Sequence, residues 1–121
     1  MKIEWAEFPV AKGMRAGSTR RAIAAEMMSA VRVETSADAQ FDRKLHHHPH
    51  EQLLIMIDGA VELQVGDDTF WAFHGDLVFF PPGILHGAIS VGNEGSLYYE
   101  IFSPPRLDQL PGFIGPSALE Y

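Results

Sequence analysis

His46-His47-His48-Pro49-His50-Glu51-Gln52, running on through Leu53-Leu54-Ile55-Met56-Ile57-Asp58 to Gly59, is matched further along by Gly75-Asp76-Leu77-Val78-Phe79-Phe80-Pro81-Pro82-Gly83-Ile84-Leu85-His86. Histidines two residues apart on an extended segment project from one face, about 7 Å apart by strand rise. That spacing can chelate one ion. Gln52 shares their parity and follows the Pro49 bend, so its amide oxygen can reach the same point. His86 comes from a later strand, beyond the Pro81-Pro82-Gly83 turn. Three imidazoles and one oxygen donor suit one divalent transition metal, Zn, Ni, Mn, Co or Fe, with a position left open for a ligand. Taken alone, His46-x-His48 is more often a solvated loop than a ligand set.

Outward from this segment the chain reads as short strands cut by glycine turns. Gln52–Asp58 is one strand, with a turn at Gly59-Ala60. In Val61–Val65 the apolar residues alternate with Glu62 and Gln64. Gly66-Asp67-Asp68 is a hairpin turn leading into Thr69–Phe73, and His74-Gly75-Asp76 leads into Leu77–Phe80. Ile84–Val91 and Ser96–Ser103 follow, separated by Gly92-Asn93-Glu94-Gly95. Regular turns between short strands predict an all-β antiparallel sandwich or barrel. Leu53–Ile57 and Leu77–Phe80 are apolar on both faces, so their outer face needs a cover. A second copy of the chain is the simplest cover and predicts a homodimer; the N-terminal segment is the alternative.

The flanks are less regular. Arg20–Met28 alone has helical composition, whereas Ala30–Thr35 alternates like a strand. The divisions expected are an N-terminal segment over 1–29 with strands at the dimer interface, a barrel over 30–103, and an irregular tail over 104–121. The tail holds four of the eight prolines.

Composition bounds the function. A chain of 121 residues, 46% hydrophobic and 21% charged, suits a single globular domain. The absence of cysteine removes disulfides, thiolate ligands and thiol nucleophiles. A net charge of −7 disfavours nucleic acid and anionic membranes as partners. No apolar run is long enough to span a membrane, and acids at Glu4 and Glu7 do not fit a leader peptide. A cytoplasmic protein is expected.

Eight of the nine Lys and Arg residues lie at or before Lys44; beyond it only Arg106 faces ten carboxylates. It is either a structural ion pair or a clamp for an anionic ligand. The last strand carries Tyr98, Glu100 and Phe102 on one face, ahead of Pro104-Pro105-Arg106. If that face is interior, Glu100 is a buried carboxylate near the metal, suited to acid–base chemistry. Arg106 then holds a carboxylate by its fork. The other reading is an outward Glu beside an exposed Arg.

These residues resemble the cupin superfamily. His46-x-His48, three residues, Gln52, six residues and Gly59 follow its first motif. Gly75, Pro81, Gly83 and His86 follow its second, with Ser90 where the motif ends in Asn. The resemblance implies a double-stranded β-helix, or jelly-roll barrel, with His46, His48, Gln52 and His86 as metal ligands. Gln52 stands where many redox cupins have Glu. A neutral donor set favours Lewis-acid work over oxygen activation. His47 is expected to face outward, His50 to stand behind the ligands, and His74 to be solvated.

His48-Pro49-His50-Glu51-Gln52 together with Phe102-Ser103-Pro104-Pro105-Arg106 is similar to the small pectin-degradation cupins, which open 4,5-unsaturated uronates to 5-keto-4-deoxyuronates. The resemblance implies catalytic roles for Glu100 and Arg106 and substrate contacts from Phe102 and Arg106, with Glu100 where the family has Asp. Tyr98 and Met56 are further candidates for the wall. Three functions are carried forward: an isomerase or lyase of a small acidic sugar, a metal-dependent dioxygenase of a small organic acid, and a non-enzymatic binding module.

Overall fold

A computed structural model describes residues Met1–Tyr121. Seven strands form one antiparallel sheet: β1 (Ala11–Lys12), β2 (Ser18–Ala24), β3 (Ser29–Thr35), β4 (Glu51–Val65), β5 (Asp68–Phe73), β6 (Leu77–Phe80) and β7 (His86–Ser103). Their order is β1-β2-β3-β7-β4-β5, with β6 pairing β4. The only helical turns are 3₁₀, at Trp5–Glu7 and Leu107–Gln109, so no helix is long and apolar enough to cross a membrane.

Two expected breaks are absent. Gly59-Ala60 lies inside the 15-residue β4, and Gly92–Gly95 inside the 18-residue β7, where it bulges without a Cα partner between Val91 and Ser96. Both strands continue because they pair with each other along most of their length, with register shifts between Met56 and Leu63. These bulges bend the sheet and change which face each residue occupies. Even-numbered Gln52, Leu54 and Met56 point inward before them; odd-numbered Val61 and Leu63 do so after. Glycine is required at the bend. Gly59 has φ +71°, and a Cβ there would lie 2.1 Å from the Gly95 carbonyl oxygen.

The Arg20–Met28 stretch is also corrected, from helix to strand over Arg20–Ala24 and to a turn over Ala25–Met28. All seven residues of β2 pair with β3, from Ser18↔Thr35 to Ala24↔Ser29. Tertiary pairing of this kind outweighs intrinsic helix preference, which spans only tenths of a kcal/mol per residue.

Inward residues of every layer meet in one core built around Val31, Val33, Leu54, Val61, Phe80 and Phe102. Outward residues form apolar rows across the sheet. Ile101, Leu53 and Phe79 are cross-strand neighbours, as are Tyr99, Ile55 and Leu77. The N-terminal turn covers only one end, where Trp5 packs 5.9 Å from Tyr99. Leu77 and Phe79 remain exposed.

Candidate metal centre

The Pro49 bend ends an extended segment that is not part of a long strand. His46 is tied to His86 by two backbone hydrogen bonds of 2.9 Å, and Gly83 N–H donates to the His48 carbonyl at 2.9 Å. The two motifs are thereby locked together. His46, His48 and His86 are all buried, with possible ligand atoms within 4.8 Å of one another. The His46 and His48 rings lie 6.2 Å apart, close to the separation expected from strand rise.

Several buried ring nitrogens have no partner in the chain: Nδ1 of His46, His48 and His50, and Nε2 of His86. Orphaned buried polar atoms are expensive, and a cation is one way to satisfy His86 Nε2. His86 is also oriented for that purpose. Its Nδ1 donates to the Ile84 carbonyl at 2.9 Å, which leaves the Nε2 lone pair free. Burial, followed by the charges around them, lowers the pKa of His46 to about 3 and of His48 to about 4. Both are neutral near pH 7, the form that ligates metal. The donors fit a divalent ion.

Gln52 joins them from β4, almost fully buried. Its Nε2 donates to Glu100 Oε2, which turns its Oε1 toward His48 Nε2, 3.0 Å away. Adjacent donors on one ion, with bonds near 2.1 Å, stand about 3 Å apart. Glu100 lies inward of β7, partly open to the cavity. Burial raises its pKa to about 7, while Arg106, Arg15 and Arg20 pull the other way.

Arg106 is buried against Phe102, its Cζ 5.3 Å from the ring centroid. Asp108 occupies much of its fork, accepting from Nε at 3.0 Å and from Nη2 at 3.3 Å. Burial would raise the Asp108 pKa, but hydrogen bonds from Arg106 and the Ala118 N–H hold it low. Both sequence readings of Arg106 thus have a counterpart: it is ion-paired, and it also lines the cavity beside the histidines.

That cavity, about 40 Å³, is lined among others by Arg15, His46, Gln52, Tyr98, Glu100 and Arg106. Of the other residues proposed for the wall, Met56 and Phe102 do not line it. Met56 is a core residue. Phe102 is fully buried and backs the histidines, 5.6 Å from His48 and 6.3 Å from His50. His50 is buried behind His48, with ring centroids 5.1 Å apart. His74 is exposed. His47 is half-buried, and its backbone pairs with Glu120 through hydrogen bonds of 2.8 and 2.9 Å. This pairing brings the Tyr121 ring to 6.4 Å from His46. Sequence reasoning did not find Met14, Arg15, Arg20 or Asp108 at the mouth. Only Asp108 had a local signal, two residues after Arg106.

Residues 32–102 match a family model described as the cupin domain. Comparison with curated proteins gives no match. Among solved structures, an RmlC-like cupin from Shewanella frigidimarina is 25% identical, with TM-score 0.73 over 85% of this chain and 89% of that one. KdgF from Halomonas sp. is 24% identical, with TM-score 0.72 over 87% and 94%. The polyketide cyclase RemF from Streptomyces resistomycificus is 15% identical, with TM-score 0.71 over 98% and 89%. The last two likenesses speak for the fold alone. With the family match covering more than half its length, the chain belongs to the cupin family.

Proposed function

We propose that this cupin is a metal-dependent isomerase or lyase of a small acidic sugar, with a 4,5-unsaturated uronate as the specific substrate. His46, His48, Gln52 and His86 would hold the metal, whose contribution is to polarise a substrate oxygen. The observation that carries the reading is the contact between Gln52 and Glu100. It sets a carboxylate, whose pKa burial raises and a bound divalent ion would lower, directly against the ligand set, beside a guanidinium. Such a group exchanges protons readily near neutral pH.

Opening the uronate ring conserves atoms. A proton leaves the O1 hydroxyl, the C1–O5 bond breaks, and the resulting enol becomes a 5-ketone on taking a proton at C4. Glu100 accepts the first proton and returns one. Arg106 Nη1, outside the Asp108 pair, faces the substrate carboxylate. The neutral Gln52 favours this chemistry over oxygen activation, and the likeness of fold to KdgF agrees with it. The protein acts as a homodimer, closed over the outer apolar rows that contain Leu77 and Phe79.

The test is loss of the ultraviolet absorbance of unsaturated uronate on zinc-, nickel- or manganese-loaded protein. Turnover is expected to fall about a hundredfold or more in Glu100→Gln, as removal of a general acid–base does. Turnover unchanged in that variant, or absent with every metal, would overturn the reading.

A further inference from the structure

The 40 Å³ beside the histidines admits the reacting end of a sugar, not the whole molecule. Ligand pockets usually need about 300 Å³ or more. A second cavity of about 330 Å³ shares Met14 and Arg106 with the first and is lined also by Arg20, Asp108, Ser117 and Tyr121. The substrate's remaining bulk fits there.

The charges at this mouth are unequal in their freedom. Asp108 is already engaged by four donors. It accepts from Arg106 Nε and Nη2, from Ala118 N–H at 3.1 Å and from Ser117 Oγ at 3.4 Å. Arg20, on β2, spends only Nε, donated to the Gln109 carbonyl at 3.1 Å. Its Nη1 and Nη2 make no hydrogen bond in the chain, so the planar end of the fork is free. Burial and then the neighbouring Arg106 disfavour its charge, while Asp108 and Glu100 favour it without bonding to it. Two parallel N–H groups in one plane match a carboxylate.

Resting on the acidic-sugar reading, we propose that Arg20 is a specificity-determining residue whose free Nη1/Nη2 edge binds the substrate carboxylate in the 330 Å³ cavity. Arg106, half engaged by Asp108, supplies one further N–H. The reacting end of the sugar then extends past Met14 toward Glu100 and Gln52.

Calorimetric titration of zinc-loaded protein with galacturonate, galactose and inorganic phosphate tests this. Wild type is expected to prefer galacturonate to galactose. Arg20→Gln should weaken galacturonate about tenfold or more, the scale of a lost charged hydrogen bond, and leave galactose and zinc content unchanged. Arg20→Lys keeps the charge without the fork and should recover part of the loss. If unsaturated uronate turns over, KM should rise in Arg20→Gln with kcat held, the mark of a contact made equally in the ground and transition states. Galacturonate binding unchanged in both variants overturns the Arg20 assignment while the wild-type preference keeps the acidic-sugar reading. No preference in wild type overturns both. Loss confined to phosphate overturns the carboxylate assignment and makes the site one for phosphate. Should Arg20→Gln not fold, unchanged binding in Arg20→Lys overturns the assignment alone.

Discussion

Replacing Gln52 by Glu changes one atom pair in the contact on which the proposed chemistry depends. Gln52 Nε2 donates to Glu100 Oε2, and the variant puts a carboxylate oxygen in its place. A hydrogen bond to a charged group contributes roughly 1.5–3 kcal/mol, and here both partners lose it. Bare repulsion between two carboxylates about 3 Å apart would add several kcal/mol even at an effective dielectric near 20. The pair avoids most of that by keeping one proton, which also replaces part of the lost hydrogen bond, because burial already raises the Glu100 pKa to about 7 and a like charge raises it further. Glu100 is partly open to the cavity, so the lower end of the range applies. The metal-free variant should lose about 2 kcal/mol at pH 7, a drop in Tm of roughly 8 °C for a chain of this size.

The pH dependence has a definite sign. The folded pair holds a proton that two unfolded glutamates release well below pH 7. The folded state therefore binds more protons, and stability falls as pH rises. The Tm deficit should be smallest at pH 6 and largest at pH 8.5. An equimolar divalent ion reverses the balance, since the new carboxylate then faces positive charge. Zinc should raise the Tm of Gln52→Glu more than that of wild type. Thermal melts at pH 6, 7 and 8.5, with and without zinc, measure all of this. A metal-free variant melting within about 2 °C of wild type at pH 8.5 would refute the Gln52–Glu100 contact, given the deficit expected above. An equal zinc shift in both proteins would refute Gln52 as a ligand.

Three further outcomes are expected. Elemental analysis should find about one divalent metal per chain, lost in His48→Ala and kept in His74→Ala, whose side chain is exposed. The metal-free protein should lose stability on acidification from about pH 6.5 toward 3, by several kcal/mol across the His cluster. His46 and His48 are held neutral in the fold while the unfolded state takes up their protons, so denaturant midpoints should fall with pH. Phe79→Glu should convert a dimer into a monomer in sedimentation velocity without loss of metal, because Phe79 points outward from the core.

The cluster of His46, His48 and His86 was legible because two of its members are local and the third follows a turn of fixed spacing. His46, His48 and Gln52 sit on one segment, where parity alone decides which side chains converge. The strands of the barrel were legible for the same reason, with alternation in Val61–Val65 reporting the inward face. What failed was continuity. Gly59 and Gly92–Gly95 read as turns because a glycine that ends a strand and one that lets two strands approach look identical in sequence. The distinction lies in the partner: the Gly95 carbonyl occupies the space a Gly59 side chain would need. Likewise the composition of Arg20–Met28 is helical by residue preference, and only its seven-residue pairing with β3 makes most of it a strand.

The mouth of the barrel was the least legible part, and Arg106 shows why. In the sequence it is the only cation after Lys44, and that isolation singled it out as the clamp for an anion. In the fold it is not isolated. The β1–β2 hairpin brings Arg15 and Arg20 to the same opening, and Asp108 takes its Nε donor and one from Nη2. Rarity along the chain measures which residue is noticed, whereas the charge available to a ligand depends on what each cation has already bonded. By that measure Arg20, one of eight cations in a crowded N-terminal stretch, has more to offer an oxyanion than the residue that stood alone.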